Sequence, residues 1–236
     1  MMEQKHNCQQ QLEDLRKEYE EFAYIVSHDL KAPLRAISNL SAWIREDMGD
    51  NLEADIQNNI RLLQQRTERM ERMINGLLDF SRIPRFDLEI QEVNVQELVE
   101  QLASQLKEQH TVALHATGLP TFTTYGRKLE TVFQHLLQNA VSHNENPTRE
   151  IWVEASEQAD TYQFRVKDNG IGIWADAQER VFRMFYTVQP KDQHESLGVG
   201  LTITRKIIQF VGGSLDLQSE PGRGTEVTFT WPKAVY

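Results

Sequence analysis

The stretch RIPRFD (residues 82–87) decides how this chain is read, because the hydrophobic period differs on its two sides. Before it, from Leu12 to about Ser81, Glu, Gln, Arg and Leu dominate and only Pro33, Gly49 and Gly76 interrupt, which is a helical composition. Pro84 ends that run: it has no amide for the helical ladder, and its ring clashes with the turn before it. After it, strand-like segments at 88–93, 112–116, 151–156, 162–167, 214–218 and 226–231 alternate with helical ones at 95–108, 128–142 and 201–211. Turn residues at 158–160 and the PGRG at 221–224 separate strands. The expectation is an all-α helical hairpin followed by an α+β sandwich, one sheet under a layer of helices.

In the helical half, Leu12, Leu15, Tyr19, Phe22 and Val26 step by three and four, the spacing of a coiled-coil seam. A second seam follows at Leu30, Pro33, Ile37, Leu40 and Ile44, and two successive steps of four around Val26 make a stutter that encloses His28. EDMGDNLEADI (residues 46–56) carries the Gly49 and Asn51 of a turn, and Ile56, Ile60, Leu63, Thr67, Met70, Ile74 and Leu77 then resume the seam. Two helices cannot bury both seams alone. A homodimer that closes a four-helix bundle is the economical arrangement.

Composition narrows the function. The 236 residues hold 25 Lys and Arg against 35 Asp and Glu, a net charge of −10, and both sides of Pro84 are acidic. Without a run of cations, nucleic-acid binding is not expected. The single cysteine, Cys8, excludes an internal disulfide and a zinc finger. No window approaches 18 apolar residues and the first 21 residues are polar, so the expected location is cytoplasmic, as a soluble protein or the cytoplasmic portion of a longer sensor.

Four stretches carry chemistry. SHDLKAPLR (27–35) sets His28 beside Asp29 ahead of Pro33; an imidazole is a good phosphoryl acceptor, with one nitrogen nucleophilic and the other oriented by a carboxylate. A surface His next to a solvated Asp would give the same letters. DNGIGI (168–173) puts Asp168 at a strand end, able to accept from an exocyclic amine, with Gly170 and Gly172 letting the backbone approach a flat ligand; an ordinary Asx-Gly turn reads the same way. SLGVGLTITRKII (196–208) places Gly198 and Gly200 ahead of an amphipathic helix whose free amides suit phosphate. HLLQNAVSHN (135–144) carries Asn139, either a satisfied core amide or an oxygen ligand for Mg²⁺.

Taken in order, these stretches resemble the sensor histidine kinases of two-component signalling: a phosphoacceptor box, an Asn box, two glycine boxes, a Phe box at VFRMF (181–185) and a closing GRGTEVTF (222–229). The resemblance runs from about Glu20 to Trp231. It implies a dimerisation and phosphotransfer hairpin over 1–83 and a Bergerat-type ATP-binding domain over 86–236. By the same resemblance His28 is the phosphoacceptor and Asp29 its orienting base. Nucleotide contacts fall to His135, Asn139, His143, Asp168, Gly170, Gly172, Gly198, Val199, Gly200, Leu201 and Thr225, with Asn139 the Mg²⁺ ligand. Residues 186–197 would form a lid over ATP, its near end anchored by Phe182 and Phe185. The partner would be the receiver domain of a response regulator.

Several positions depart from the family pattern. His135 stands where an Asn usually opens the Asn box, and Ser142, Thr187 and Ser196 replace the usual Lys, Arg and Gly. Three of the four remove groups near the phosphates, which implies lower affinity or rate. Ala32 replaces the Thr or Asn of phosphatase-active members, so phosphatase activity is not implied. The phrase HDLKAPLRAI resembles the version in phytochrome-type kinases; the sensor itself would lie upstream, coupled through the coil at Leu12–Val26. The alternative is a degenerate kinase that serves as a dimeric nucleotide-binding scaffold.

Overall fold

The computed structural model describes residues 2–48, 53–108, 110–188 and 196–235, with side chains described from Phe22 onward and not at 47–48. The chain divides into two compact units, Met1–Arg82 and Ile83–Tyr236.

The first unit is a pair of helices, α1 (Met2–Met48) and α2 (Ala54–Arg82), and α1 continues through Pro33. Their buried faces follow heptad spacing: Ser27, Leu34 and Ser41 on α1, and Ile60, Thr67, Ile74 and Ser81 on α2. Small side chains here, Ala23 and Gly76 among them, let the two backbones approach. The hydroxyls of Ser41, Thr67 and Ser81 donate back to carbonyls of their own helices at 2.7–2.9 Å, which satisfies them in an apolar contact.

The second seam of α1 therefore does not pack within the hairpin. Leu30, Ile37, Leu40 and Ile44 are exposed, and on α2 the expected seam splits, with Ile60, Thr67 and Ile74 buried and Ile56, Leu63 and Met70 exposed. Small residues interleave with Leu34, Ile60, Ile74 and Leu78 on the intrachain face, where close approach rewards low volume, and further large apolar residues are left on the outer faces. The seam positions Leu12, Leu15 and Tyr19 lie outside the described side chains, as does most of the turn at 46–52.

The second unit is built from β1 (Ile90–Asn94), α3 (Val95–Lys107), β2 (Val112–Thr117), β3 (Thr121–Tyr125), α4 (Gly126–Ser142), β4 (Arg149–Glu157), β5 (Thr161–Asp168), a 3₁₀ turn (Arg180–Phe182), α5 (Gly200–Phe210), β6 (Leu215–Glu220) and β7 (Gly224–Pro232). Five strands form one sheet in the order β2-β4-β5-β7-β6, parallel only between β2 and β4. The expected single sheet is thus incomplete: β1 pairs antiparallel with β3 in a separate two-stranded sheet, and the strand at 121–125 was not anticipated. TFTTY passes straight into a helix with no turn residue to mark its end, so its short β pattern was hidden.

Register explains where the core sits. Ala155, Phe164, Phe229 and Leu215 form one row across the sheet, and Val153, Val166, Val227 and Leu217 form the next. Against them lie the apolar stripes of α4 (Leu129, Val132, Phe133, Leu136, Leu137, Ala140) and α5 (Ile203, Ile207, Ile208). Asn94 caps α3, its side-chain oxygen accepting from the amides of Gln96 and Glu97. The buried Trp231 Nε1 donates to Thr124 Oγ1 at 2.7 Å and joins the large sheet to β3. Lys128, also buried, donates to the carbonyls of Ile83 and Phe86 at 2.5 and 2.9 Å, and desolvation holds its pKa below the usual lysine value.

Candidate functional site

The row beyond Val166 on the core face of β5 ends in Asp168, because strand alternation carries every second residue to that face. A carboxyl is thereby placed at the edge of an apolar floor. The amides of Gly170 and Thr225 both donate to Oδ1, at 2.8 and 3.1 Å, which leaves Oδ2 without a partner among the described residues. Burial outweighs those two amides and pushes the carboxyl up to about 6.

Asp168 opens into a cleft between the sheet, α4 and α5. Val166, Leu217 and Val227 supply its floor, and Leu136, Ile171, Ile173 and Val181 its apolar walls. Asn139 and His143 line it from the end of α4, Thr225 from β7, and Gly198, Gly200 and Leu201 from the start of α5. The amides that open α5 have no side-chain cap at Val199, so the positive end of that helix remains available to an anion.

Backbone turns hold this shape. Gly172 has φ +71° and lies so close to the Glu220 carbonyl that a Cβ would come within 2.0 Å of it. Gly198, at φ +69°, meets the Tyr186 carbonyl in the same way, and the Phe185 amide donates to the Gly198 carbonyl at 2.8 Å. These contacts tie together the two ends of the 186–197 segment, of which residues 189–195 lie outside the described part. Phe182 is buried; its carbonyl accepts from Thr202 Oγ1 and Arg205 Nη2.

Three expected residues stand behind the cleft and do not line it. The Gly170 position packs against the carbonyl of His143. Val199 precedes the first turn of α5. His135 lies under that turn, its Nδ1 3.3 Å from where a Cβ on Gly200 would be, and burial holds its pKa below the ordinary value, so the ring is neutral near pH 7. The apolar floor itself was read only as strand core, since nothing in an alternating strand marks which end faces a cavity. Asn144 was also missed: it is buried and donates to Asn169 Oδ1, which in turn accepts from the Glu150 amide, fastening the loop after α4 to the DNG turn.

In the first unit, His28 and Asp29 are both well exposed on α1, and Nδ1 of the imidazole lies 3.1 Å from Asp29 Oδ1. A carboxylate only accepts. The bonded tautomer therefore carries its proton on Nδ1 and leaves the Nε2 lone pair outward and nucleophilic.

Residues 18–85 match the His Kinase A (phospho-acceptor) domain, and residues 124–235 match the family of histidine kinase-, DNA gyrase B- and HSP90-like ATPases. Over 228 residues the chain is 34% identical to cyanobacterial phytochrome B of Nostoc sp., covering 93% of this chain and 30% of that protein. It is 29% identical to the sensor histidine kinase WalK of Bacillus subtilis, covering 93% of this chain and 38% of the relative. The chain thus spans less than half the length of these curated relatives. Among solved structures, full-length ShkA in complex with AMPPNP has the same fold at TM-score 0.67 and 23% identity, over 92% of this chain and 46% of that one. The Acinetobacter baumannii histidine kinase AdeS does so at TM-score 0.60 and 15% identity, over 87% and 98%. With a phosphoacceptor unit, an ATPase-type unit and relatives that match across both, the chain belongs to the sensor histidine kinases and comprises their catalytic core.

Proposed function

We propose that this core is an ATP-dependent protein-histidine kinase that phosphorylates its own His28 and passes the phosphoryl group to an aspartate on the receiver domain of a response regulator. The observation that carries the reading is the exposed imidazole with a carboxylate on Nδ1, in a chain whose second unit holds a glycine-framed apolar cleft ending in a buried carboxyl. The adenine lies on Val166, Val227 and Leu217 with its exocyclic amine on Asp168 Oδ2. The phosphates run toward the uncapped start of α5 at Gly198 and Gly200. The Asn139 amide has no side-chain partner among the described residues, and an amide oxygen beside phosphate oxygens and water suits a hard cation. Mg²⁺, when bound there, neutralises phosphate charge.

In the reaction the Nε2 lone pair forms the N–P bond as the bond to the β-phosphate oxygen breaks and ADP leaves. Asp29 holds the Nδ1 proton and stabilises the positive ring that results. Exposed Ile37, Leu40, Ile44, Ile56, Leu63 and Met70 support assembly of the hairpin as a homodimer. Among the described residues no helix is long and apolar enough to cross a membrane, in keeping with a cytoplasmic site of action.

Incubation with γ-labelled ATP and Mg²⁺ tests the reading. The wild-type protein should acquire acid-labile label, His28→Gln should acquire none, and Asp29→Asn should be slower by about 100-fold, the contribution of a positioned base. ATP binding without label would refute the kinase and favour a nucleotide-binding scaffold.

A further inference from the structure

An exposed nucleophile has a particular difficulty. His28 has lost little contact with water, and one hydrogen bond to an equally exposed Asp29 restrains ring rotation weakly. In-line attack needs the Nε2 lone pair in a single direction, and a freely turning imidazole spends only part of its time there. A second restraint is present one helical turn earlier. Tyr24 and His28 are four apart on α1 and share a face, and their rings stack with centroids 6.3 Å apart and planes at 27°. A helical side chain leans toward the N-terminus, which brings the ring of His28 toward that of Tyr24 one turn earlier. The Tyr24 ring is itself met from the other helix: the Arg82 guanidinium, in the last turn of α2, lies 5.8 Å from its centroid.

We propose that Tyr24 is a positioning residue for His28, holding the imidazole by ring stacking while Arg82 latches the tyrosine ring to α2. Asp29 sets the rotation of the ring about its own axis, and Tyr24 sets the arm that carries it. Among the described residues the bond to Asp29 is the side-chain hydrogen bond of His28 and the stack on Tyr24 its ring contact. The tyrosine needs its ring for this, not its hydroxyl.

The proposal rests on His28 being the phosphoacceptor, and the experiment separates the two. Phosphohistidine formation is measured at saturating labelled ATP and across ATP concentrations for wild type, Tyr24→Phe and Tyr24→Leu, with ¹⁵N spectra of the His28 ring for each. Tyr24→Leu should slow the reaction roughly three- to ten-fold, the population change one aromatic contact supports, with KM for ATP unchanged. Tyr24→Phe should stay within about two-fold of wild type because the ring contact is kept. The spectra should show the Nδ1–H tautomer in wild type and Tyr24→Phe and a tautomer mixture in Tyr24→Leu. A wild-type rate in Tyr24→Leu, equal loss in both variants, or loss confined to KM would overturn the proposal. Absence of label in the wild-type protein would instead sink the kinase reading, and identical His28 spectra in all three proteins would then dispose of the ring contact as well. Both residues are exposed, so circular dichroism should show unchanged helix content.

Discussion

Asp168 shows how one residue is asked to serve two ends. Strand alternation puts it on the apolar face, where its charged form is poorly solvated, and its carboxyl titrates near 6 instead of 3.8. The stability supplied by the protonated form is therefore fully present below pH 3.8 and is lost as pH rises through about 6. Asp168→Asn keeps an acceptor for Gly170 and Thr225 and removes the charge. Its Tm should exceed that of wild type at about pH 7.5 and converge with it at about pH 3.5. Nucleotide affinity should move the opposite way, falling roughly 10- to 100-fold in the variant and, in wild type, falling as pH drops below about 6. Calorimetric titration across that range would check both signs. Ser27 gives a simpler case: its buried Oγ has no partner, so Ser27→Ala should raise stability by about 1 kcal/mol in denaturant titration. The letters DNG pointed to Asp168, but Ser27, Asn144 and Lys128 carry no mark in the sequence, because burial of a polar side chain depends on which distant backbone comes to meet it.

At the scale of elements, turns decide whether the cleft keeps its shape. Gly172 and Gly212 both have positive φ, but a Cβ at 172 would strike the Glu220 carbonyl whereas at 212 nothing lies within 4 Å. Gly212→Ala should cost about 1 kcal/mol of backbone strain, and Gly172→Ala at least about 3 kcal/mol with loss of nucleotide binding, both read from urea midpoints. Periodicity found α3, α4, α5 and most strands because each buries one face, and a one-sided element must repeat at 3.6 or 2 residues. It missed β3, which is short and runs into α4 without punctuation. It could not tell which neighbour covers the seam of α1, since a helix with two buried-type faces shows the same apolar letters whichever element lies against them.

For the whole molecule, the outer faces of α1 and α2 are the test. They expose large apolar residues in heptad register, while the face turned toward the other helix of the hairpin mixes small residues (Ala23, Ser27, Ser41, Gly76, Ser81) with Leu34, Ile60, Ile74 and Leu78. A double change, Ile37→Glu with Leu40→Glu, should weaken self-association roughly 100-fold or more, since carboxylates would have to be desolvated in the interface. On the proposed homodimer, light scattering should report a dimer for the wild type and a monomer for the variant; dimers surviving the change would place the interface elsewhere. The excess of acidic residues is shared by both units and does not discriminate between them.

The amino-acid order by itself determined the change of period around Pro84, the helical character before it, the alternation after it and the four motif stretches, because each is a local property: a missing amide, a repeat length, a turn that only glycine enters easily. Which apolar rows face a cleft, which face of each helix meets its neighbour, that Asp168 is desolvated while Asp29 is not, and that Tyr24 lies under His28 with Arg82 over it were decided only in three dimensions. Those facts depend on register between strands, on the approach of two helices and on solvent access, and none of these is carried by neighbours along the chain.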